Sequence, residues 1–230
     1  MVIKYLATYR DEFGEETVAI ENDGKTLSLV LRGVKFIGKN FHSFVILDNV
    51  FSPENHNFNL CLGELCSYSI DCDIPVRIVS NDGDTTTHLH VHIEYGMFDE
   101  LNKINHEVLH FMLEHDGQVY QSDGKNLYST FDEQLTTLQD VLPKDVYLKA
   151  CWSCSFSDYD IAGSGMFGDM ACFRNTKNEY LQVKNKVELT KLWDQRAEDV
   201  QEIYLCSEFE KRQPGVGGQY VGHGNMQKSG

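Results

Sequence analysis

Residues 74–95 read IPVRIVSNDGDTTTHLHVHIEY, and this stretch predicts a β-hairpin. Residues 74–79 and 87–95 are rich in the β-branched residues that strands favour, and in the second run apolar side chains alternate with histidines. Between the runs, Asn81-Asp82-Gly83-Asp84 is typical of a tight turn, because Asn, Asp and Gly tolerate the backbone angles that such a turn needs. We therefore expect two neighbouring antiparallel strands.

The other residues up to about 125 show the same pattern. Asn22-Asp23-Gly24-Lys25 is a second turn signal between alternating runs, and further Asp-Gly pairs stand at residues 116–117 and 123–124. The alternating runs of this part begin with residues 3–10, 16–21 and 26–31. Short strands separated by so many turns predict an antiparallel sandwich or an open barrel.

Helical spacing begins near residue 127. Thr130 with Glu133 matches a capping box, and Pro143 predicts the end of that helix. The apolar residues that recur at helical spacing between them are Phe131, Leu135, Leu138 and Leu142. A longer helix is predicted over residues 187–204, with Asn185 and Glu188 as its cap. Short strands are predicted at residues 147–151, 170–174 and 180–183.

Together these patterns predict a β-rich α+β protein. We expect an antiparallel β domain over residues 1–125 and a cysteine-containing α+β region, with mixed strands and two helices, over residues 126–212. One continuous fold is the alternative. Residues 213–230 are rich in glycine and predict a flexible tail.

Composition limits the classes of function. Asp and Glu number 35 against 20 Lys and Arg, a formal charge of −15, which disfavours binding to nucleic acid and suits a basic protein partner. No signal peptide and no apolar run long enough to span a membrane are visible. Seven cysteines, an odd number, argue against a disulfide framework, so we expect a reduced, cytoplasmic protein.

Four cysteines near the C-terminus predict a structural zinc site. Cys151 and Cys154 form a Cys-x-x-Cys pair, which can present two thiolates to one cation, and Cys172 with Cys206 would complete a closed tetrahedral site. The alternatives are four buried thiols that never meet, since free cysteine behaves as a small apolar residue, or a redox pair.

A glycine motif lies inside the same stretch. Gly163-Ser164-Gly165-Met166-Phe167-Gly168 matches the dinucleotide fingerprint in its letters, but that fingerprint must open a helix. The residues that follow predict a strand, which indicates a simple glycine loop.

His106-Glu107-Val108-Leu109-His110 has the spacing of a zinc peptidase motif. On a helix, His106 and His110 would bind zinc and Glu107 would activate a water, with Glu133 as a third ligand. On a strand, the two histidines would lie about 13 Å apart, too far for one ion. Whether residues 105–114 form a helix or a strand therefore decides this hypothesis.

A second histidine pattern lies in the predicted hairpin. His88, His90 and His92 share one face of a strand, and His88 and His90 with Glu94 resemble half of the cupin metal motif. The second half of that motif, with its Pro-x-Gly and later His, is absent. A polar, solvated strand face explains the same alternation without a metal.

The C-terminal half resembles a known family. The residues concerned are Cys151-Trp-Ser-Cys154-Ser-Phe-Ser-Asp-Tyr159, Gly165–Gly168, Cys172-Phe-Arg-Asn175, Tyr180-Leu181, Lys184 and Cys206-Ser-Glu-Phe-Glu-x-Arg212. They are similar to an uncharacterised bacterial family, a domain of unknown function, over roughly residues 125–215. The resemblance implies a bacterial cytoplasmic protein and assigns no catalytic residue.

Two functional hypotheses follow from the sequence. The first is a non-catalytic protein-binding module that contains a structural zinc ion, with a basic protein as partner. The second is a metalloenzyme, which would use either the His106-Glu107-His110 motif or the cupin-like residues His88, His90 and Glu94.

Overall fold

The computed structural model describes residues 2–47, 57–98, 103–124, 130–160 and 167–213. The strands in these ranges are β1 (Ile3–Asp11), β2 (Gly14–Asn22), β3 (Leu27–Leu31), β4 (Val34–Gly38), β5 (Val45–Ile46), β6 (Leu60–Cys61), β7 (Glu64–Leu65), β8 (Tyr68–Ser80), β9 (Gly83–Tyr95), β10 (Glu107–His115), β11 (Gln118–Gln121), β12 (Tyr147–Leu148), β13 (Ser157–Tyr159), β14 (Met170–Cys172) and β15 (Glu198–Val200). The helices are α1 (Phe131–Val141), α2 (Lys177–Tyr180) and α3 (Lys186–Leu192), with 3₁₀ turns at Cys151–Ser153, Arg174–Thr176 and Trp193–Gln195.

One large antiparallel sheet dominates the fold, as the turn-rich sequence predicts. Its strands follow the order β11-β10-β9-β8-β1-β2-β3-β4-β5-β7-β6, and β12 pairs with the free end of β8. A separate sheet has the order β13-β14-β15. The β-rich α+β class is therefore confirmed, with the large sheet built from the N-terminal part of the chain.

The β8–β9 hairpin is the longest pairing in this sheet. Each strand has 13 residues, and the pairs run from Tyr68 opposite Tyr95 to Ser80 opposite Gly83. The turn is Asn81-Asp82, and Gly83 has a φ of +123°, which a residue with a side chain rarely adopts. The predicted hairpin is confirmed, and it begins six residues earlier than the sequence runs indicate.

One face of the large sheet is buried and forms the main core. Alternate residues of β8 and β9 point into it, and Ile70, Ile74, Leu89, Val91 and Ile93 are completely inaccessible to solvent. Helix α1 packs against the part of this face that β10 and β11 form. The same core also takes in side chains that follow residue 125, including Leu148, Tyr159 and Val200. The domain boundary near residue 125 stays a prediction.

Helix α1 forms as its sequence predicts. Thr130 accepts a hydrogen bond from the Glu133 backbone N–H, and the Glu133 side chain accepts one from the Thr130 N–H, which completes the capping box. The helix ends at Val141, with Leu142 as its C-cap directly before Pro143. On its inner face, Phe131 packs edge-on against Phe111 of β10, with ring centroids 4.6 Å apart.

The predicted helix over residues 187–204 is wrong in its extent. Helix α3 ends at Leu192 and is followed by a 3₁₀ turn, and residues Glu198–Val200 form strand β15 instead. Val200 lies opposite Met170 of β14 and is buried in the core, so tertiary pairing overrides the helical spacing. The Asn185 cap is confirmed, since its side chain accepts a hydrogen bond of 3.0 Å from the Glu188 N–H.

The short predicted strands have mixed outcomes. The strand predicted at residues 170–174 is confirmed as β14, and that at 147–151 is reduced to the two residues of β12. The strand predicted at 180–183 is wrong, because Tyr180 ends α2 and its ring stacks on Phe173 at 4.8 Å. Of the predicted flexible tail, all but Gln213 lies outside the described residues.

A disulfide joins Cys61 and Cys66, whereas the sequence predicts reduced cysteines. The two Cα atoms are 5.8 Å apart, and the bridge closes the β6–β7 hairpin around Leu62 and Gly63, which both have positive φ. An odd cysteine count argues against a framework of disulfides, but it does not address a local pair of this kind. No helix among the described residues has both the length and the apolar composition of a membrane span.

The core packing of α1 generates the first prediction. Leu138 is fully buried and Val141 is 50 % exposed on the same helix. Leu138→Ala should lower the free energy of unfolding by about 2–5 kcal/mol, because it removes buried apolar atoms and leaves a cavity. Val141→Ala, the matched control, should change it by less than about 1 kcal/mol. Urea denaturation measures both, and equal losses would contradict the placement of α1.

Candidate functional site

The solvent-facing side of the large sheet carries a connected set of imidazole and carboxylate groups. We call it the histidine–carboxylate face, and it consists of Arg10, Asp71, Asp73, His90, His92, Glu94 and His106. Because side chains alternate along a strand, the residues between the buried positions of β8 and β9 all point to this side. The register places Asp71 opposite His92 and Asp73 opposite His90. His90 and His92 therefore each have a carboxylate as cross-strand neighbour.

The groups of this face are joined in a row. His92 Nδ1 lies 2.8 Å from Asp71 Oδ1, and its Nε2 lies 3.2 Å from Glu94 Oε1. Glu94 Oε2 in turn lies 2.5 Å from Nε2 of His106, the residue directly before β10. His90 Nδ1 lies 3.0 Å from Asp73 Oδ1.

Arg10 of β1 extends the row on the other side. Its guanidinium donates to Asp71 and, at 2.7 Å, to Glu15 of β2. The row thus links five neighbouring strands, from β2 to the start of β10.

These contacts favour the charged forms of His92, Asp71 and Glu94. Burial alone would lower the pKa of His92, but its contacts with Asp71 and Glu94 outweigh burial and raise that pKa above its ordinary value. The hydrogen bond from His106 lowers the pKa of Glu94. Burial alone would raise the pKa of Asp71, but the hydrogen bonds from His92 and Arg10 outweigh burial and lower that pKa overall. The contacts of His92 therefore favour its charged imidazolium form beside the carboxylates of Asp71 and Glu94.

The cupin-like residues lie on this face but do not converge. Glu94 contacts His92 and His106, and His90 contacts Asp73. Among the described residues, no group of three or more His, Cys, Asp or Glu side chains is arranged to hold a metal ion. The sheet order also leaves β6 and β11 as separate ends, so His88, His90 and Glu94 line an open face.

The helix required for the peptidase motif does not form. Residues Glu107–His115 are strand β10, in which Leu109, Phe111 and Leu113 pack into the core at alternate positions. Tertiary burial of this alternating run explains why the strand forms.

The residues of the peptidase motif consequently point to different partners. His106 contacts Glu94, and His110 Nε2 lies 3.2 Å from the carbonyl oxygen of Ser122. Glu107 Oε1 lies 3.5 Å from His42 on the buried side of the sheet, while Glu133 caps α1. The predicted peptidase arrangement is therefore wrong.

The four C-terminal cysteines lie in one neighbourhood. Cys151 is in a 3₁₀ turn, and Cys172 is in β14 opposite Ser157. A hydrogen bond of 2.9 Å from the Cys151 N–H to the Tyr204 carbonyl brings the Cys206 segment alongside. Burial, followed by the proximity of Cys154, Cys172 and Cys206, raises the pKa of Cys151.

Cys172 has one further neighbour. Burial raises the pKa of its thiol overall, although Arg174 acts in the opposite direction. The four thiols thus come close enough to affect one another, but they are not among any described group with metal-holding geometry. The zinc site stays a prediction.

Most of the glycine motif, from Gly163 to Met166, lies outside the described residues. Gly168 is described, and its N–H donates a 2.7 Å hydrogen bond to Oε2 of the buried Glu202. Strand β14 follows at Met170, so the predicted strand is confirmed and the helix that a dinucleotide site needs is not formed.

The sequence reasoning missed Arg10, Asp71 and Asp73. The sequence does contain the information for the two aspartates, because a turn at Asn81-Asp82 fixes the register of the hairpin and places Asp71 opposite His92. Arg10 could not be found in this way, since its proximity depends on the pairing of β1 with β8, which are far apart in sequence.

Comparison with known proteins identifies one relationship. A model described as a family of unknown function, DUF6304, matches residues 3–157. The expected resemblance to such a family is confirmed, but the matched residues cover the large sheet and overlap the expected range of 125–215 only at its start. Searches of curated proteins and of solved structures found no significant match.

The pKa of His92 provides a test of the face. By NMR, His92 should titrate above its ordinary value of 6.5, and Asp71→Asn should lower its midpoint, because it removes the nearest negative charge. Asp140→Asn, on the exposed side of α1, is the control with the same change in charge. An unchanged His92 midpoint in Asp71→Asn would contradict the pairing.

The same contact has a predicted effect on stability. A histidine whose pKa is raised in the folded state stabilises the fold fully below its unfolded value, and this contribution is lost as the pH rises through the folded pKa. The stability advantage of the wild type over Asp71→Asn should therefore be larger at pH 6 than at pH 8.5. Urea midpoints at the two pH values measure it.

Proposed function

This chain belongs to the family of unknown function DUF6304, and on that premise we propose that it is a non-catalytic protein-binding module whose histidine–carboxylate face contacts a basic protein. Family membership assigns no activity and no residue role. The proposal is supported by the geometry of the face and by the charge of the chain.

The observation that supports the proposal most is the open, connected arrangement of the acidic groups. Asp73, Glu94 and His106 have side chains that are 61 %, 41 % and 47 % exposed, so a partner can reach them. Cross-strand contacts hold most of these side chains in one conformation, which lowers the entropy lost when a partner binds. Open faces with fixed polar groups suit recognition between proteins.

The sign of the charge indicates the class of partner. The whole chain carries a formal charge of −15, and this face presents the carboxylates of Asp71, Asp73 and Glu94. An acidic surface of this kind attracts a basic protein and speeds their encounter, most strongly at low ionic strength.

The metalloenzyme alternative has less support. It requires ligand side chains that converge on one point, whereas the histidines of both motifs pair with separate carboxylates or with a backbone carbonyl. The groups on the face are spread along β8, β9 and the start of β10. This spread favours contact with an extended partner surface over chemistry at one centre.

The proposal retains a structural zinc ion at Cys151, Cys154, Cys172 and Cys206. Its support is that three buried thiols and the partly exposed thiol of Cys206 lie in one neighbourhood, where the proximity of the other three adds to burial in raising the pKa of Cys151. Thiolates are the preferred ligands of structural zinc. When bound, such an ion would link the 3₁₀ turn, β14 and the Cys206 segment, and would stabilise folding without supplying chemistry.

Binding to a partner can be tested with a charge-matched pair of variants. Wild-type protein and Asp71→Asn/Glu94→Gln serve as baits in the native host lysate, with Asp140→Asn/Glu179→Gln as the control that loses the same two charges. Mass spectrometry identifies the captured proteins, and calorimetry with the purified candidate gives its affinity. We expect a basic partner whose affinity falls about tenfold or more only in the first variant. Equal affinity for both variants, or no stable partner, would contradict the proposal.

Zinc content is tested separately by elemental analysis. Wild-type protein should contain about one zinc per chain, and Cys154→Ser should lose the metal together with stability. His110→Ala should retain it, because His110 lies on β10 and contacts Ser122 instead. A wild-type protein that is stable without zinc would rule out the metal.

A further inference from the structure

His92 contacts two carboxylates at once, through the two nitrogens of its ring. Nδ1 lies 2.8 Å from Asp71 Oδ1, and Nε2 lies 3.2 Å from Glu94 Oε1. A neutral imidazole has one N–H donor and one nitrogen with a lone pair, whereas an imidazolium has two donors. Only the protonated ring therefore donates to Asp71 and Glu94 together, because in the neutral ring a lone pair would face one of the two carboxylates.

Glu94 has an imidazole against each of its two oxygens. Oε1 faces His92, and Oε2 lies 2.5 Å from His106 Nε2. Histidine changes its charge between about pH 5 and 8, so both contacts depend on the pH. The second contact of Asp71 comes from Arg10, which stays charged throughout this range. A change in pH thus acts on the contacts of Glu94 and on only one of the contacts of Asp71.

Charged and titratable groups from several strands surround these two histidines. Those around His92 are Asp71 and Asp73 of β8, His90 and Glu94 of β9, His110 of β10 and Arg10 of β1. Those that line one groove together with His106 are Arg10, Asp11, Glu12 and Glu94. Burial disfavours the charged ring of His92, yet its contacts with Asp71 and Glu94 raise its pKa, so the carboxylates decide the balance.

We propose that protonation regulates the histidine–carboxylate face, so that imidazolium rings at His92 and His106 cover the carboxylate of Glu94 and a basic protein binds when these rings lose their protons. The inference rests on the proposed function, since it concerns the same face and the same class of partner. It adds that the two histidines compete with the partner for the carboxylates.

The competition follows from the number of donors on each ring. Without its second proton His92 has one N–H, so either Asp71 or Glu94 becomes available to a guanidinium or ammonium group of the partner. Each lost proton also makes the face more negative, which attracts a cationic partner more strongly. Because the coupling between two ligands is reciprocal, a partner that prefers the deprotonated face releases protons when it binds.

The test uses a hexa-arginine peptide with blocked termini, a basic probe whose charge does not change with pH. Calorimetry at fixed ionic strength measures its affinity for the full chain at pH 6 and pH 8.5. We expect wild-type protein to bind the peptide about tenfold or more tightly at pH 8.5. At pH 6 the complex should release about one proton, measured in two buffers that differ in ionisation enthalpy.

A matched pair of variants separates these two rings from the other histidines. His92→Gln/His106→Gln removes both rings that cover Glu94 and should bind the peptide with nearly equal affinity at the two pH values. His88→Gln/His115→Gln removes two histidines that are not part of the histidine–carboxylate face and should keep the pH dependence of the wild type.

The possible failures can be told apart. If the peptide does not bind at pH 8.5, or binds Asp71→Asn/Glu94→Gln as tightly as the wild type, the proposed function fails and the inference fails with it. If the peptide does bind through Asp71 and Glu94, the inference alone is overturned by equal wild-type affinity at both pH values or by a full pH dependence in His92→Gln/His106→Gln. Binding at pH 6 without release of protons overturns it as well, and this measurement on the wild type does not depend on the folding of any variant.

Discussion

The register of the β8–β9 hairpin is the constraint on which the rest of the structure depends. A two-residue turn at Asn81-Asp82 sets thirteen consecutive pairs, and each pair assigns its two side chains to the core or to solvent. A shift of one residue in either strand would move Asp71 or His92 into the core and expose Ile70 or Ile93. Burial of an ionised group without its partner costs on the order of several kcal/mol, so the sequence tolerates one register.

The same register creates the histidine–carboxylate face. Because Asp71 and His92 are cross-strand neighbours, their attraction stabilises the pairing that the core also requires. Exposed ion pairs contribute little individually, since water screens them and ordering long side chains costs entropy. Here the strands have already ordered the backbone on both sides, and Arg10 joins from β1. The face is thus a preorganised surface, which is the property that recognition by a partner needs.

The sequence predicts local features of this protein better than distant ones. The hairpin turn and the α1 capping box depend on neighbours within a few residues, and both are confirmed. Residues 187–204 and 180–183 were misassigned because their partners, Met170 and Phe173, lie in segments that pattern reasoning cannot place. The peptidase motif failed for a related reason. Spacing of four residues is compatible with a helix, but burial of Leu109, Phe111 and Leu113 requires a strand. The Cys-x-x-Cys pair indicates that the cysteines lie near one another. The geometry of a metal site also depends on the directions of the side chains, which the spacing of residues in the sequence does not determine.

A buried set of hydrogen bonds links the C-terminal part of the chain to the large sheet. Asn22 lies on the core side of β2, where its Nδ2 donates both to Tyr5 Oη at 2.5 Å and to Gln201 Oε1. This set of hydrogen bonds ties the C-terminal segment to the N-terminal strands and turns the Gln201 amide so that its N–H₂ faces away from Asn22. The family match ends at residue 157, so these hydrogen bonds join Tyr5 and Asn22 of the matched part to Gln201, which lies beyond it. The C-terminal segment is therefore held to the core side of the sheet, away from the face that Asp71 and His92 present to solvent.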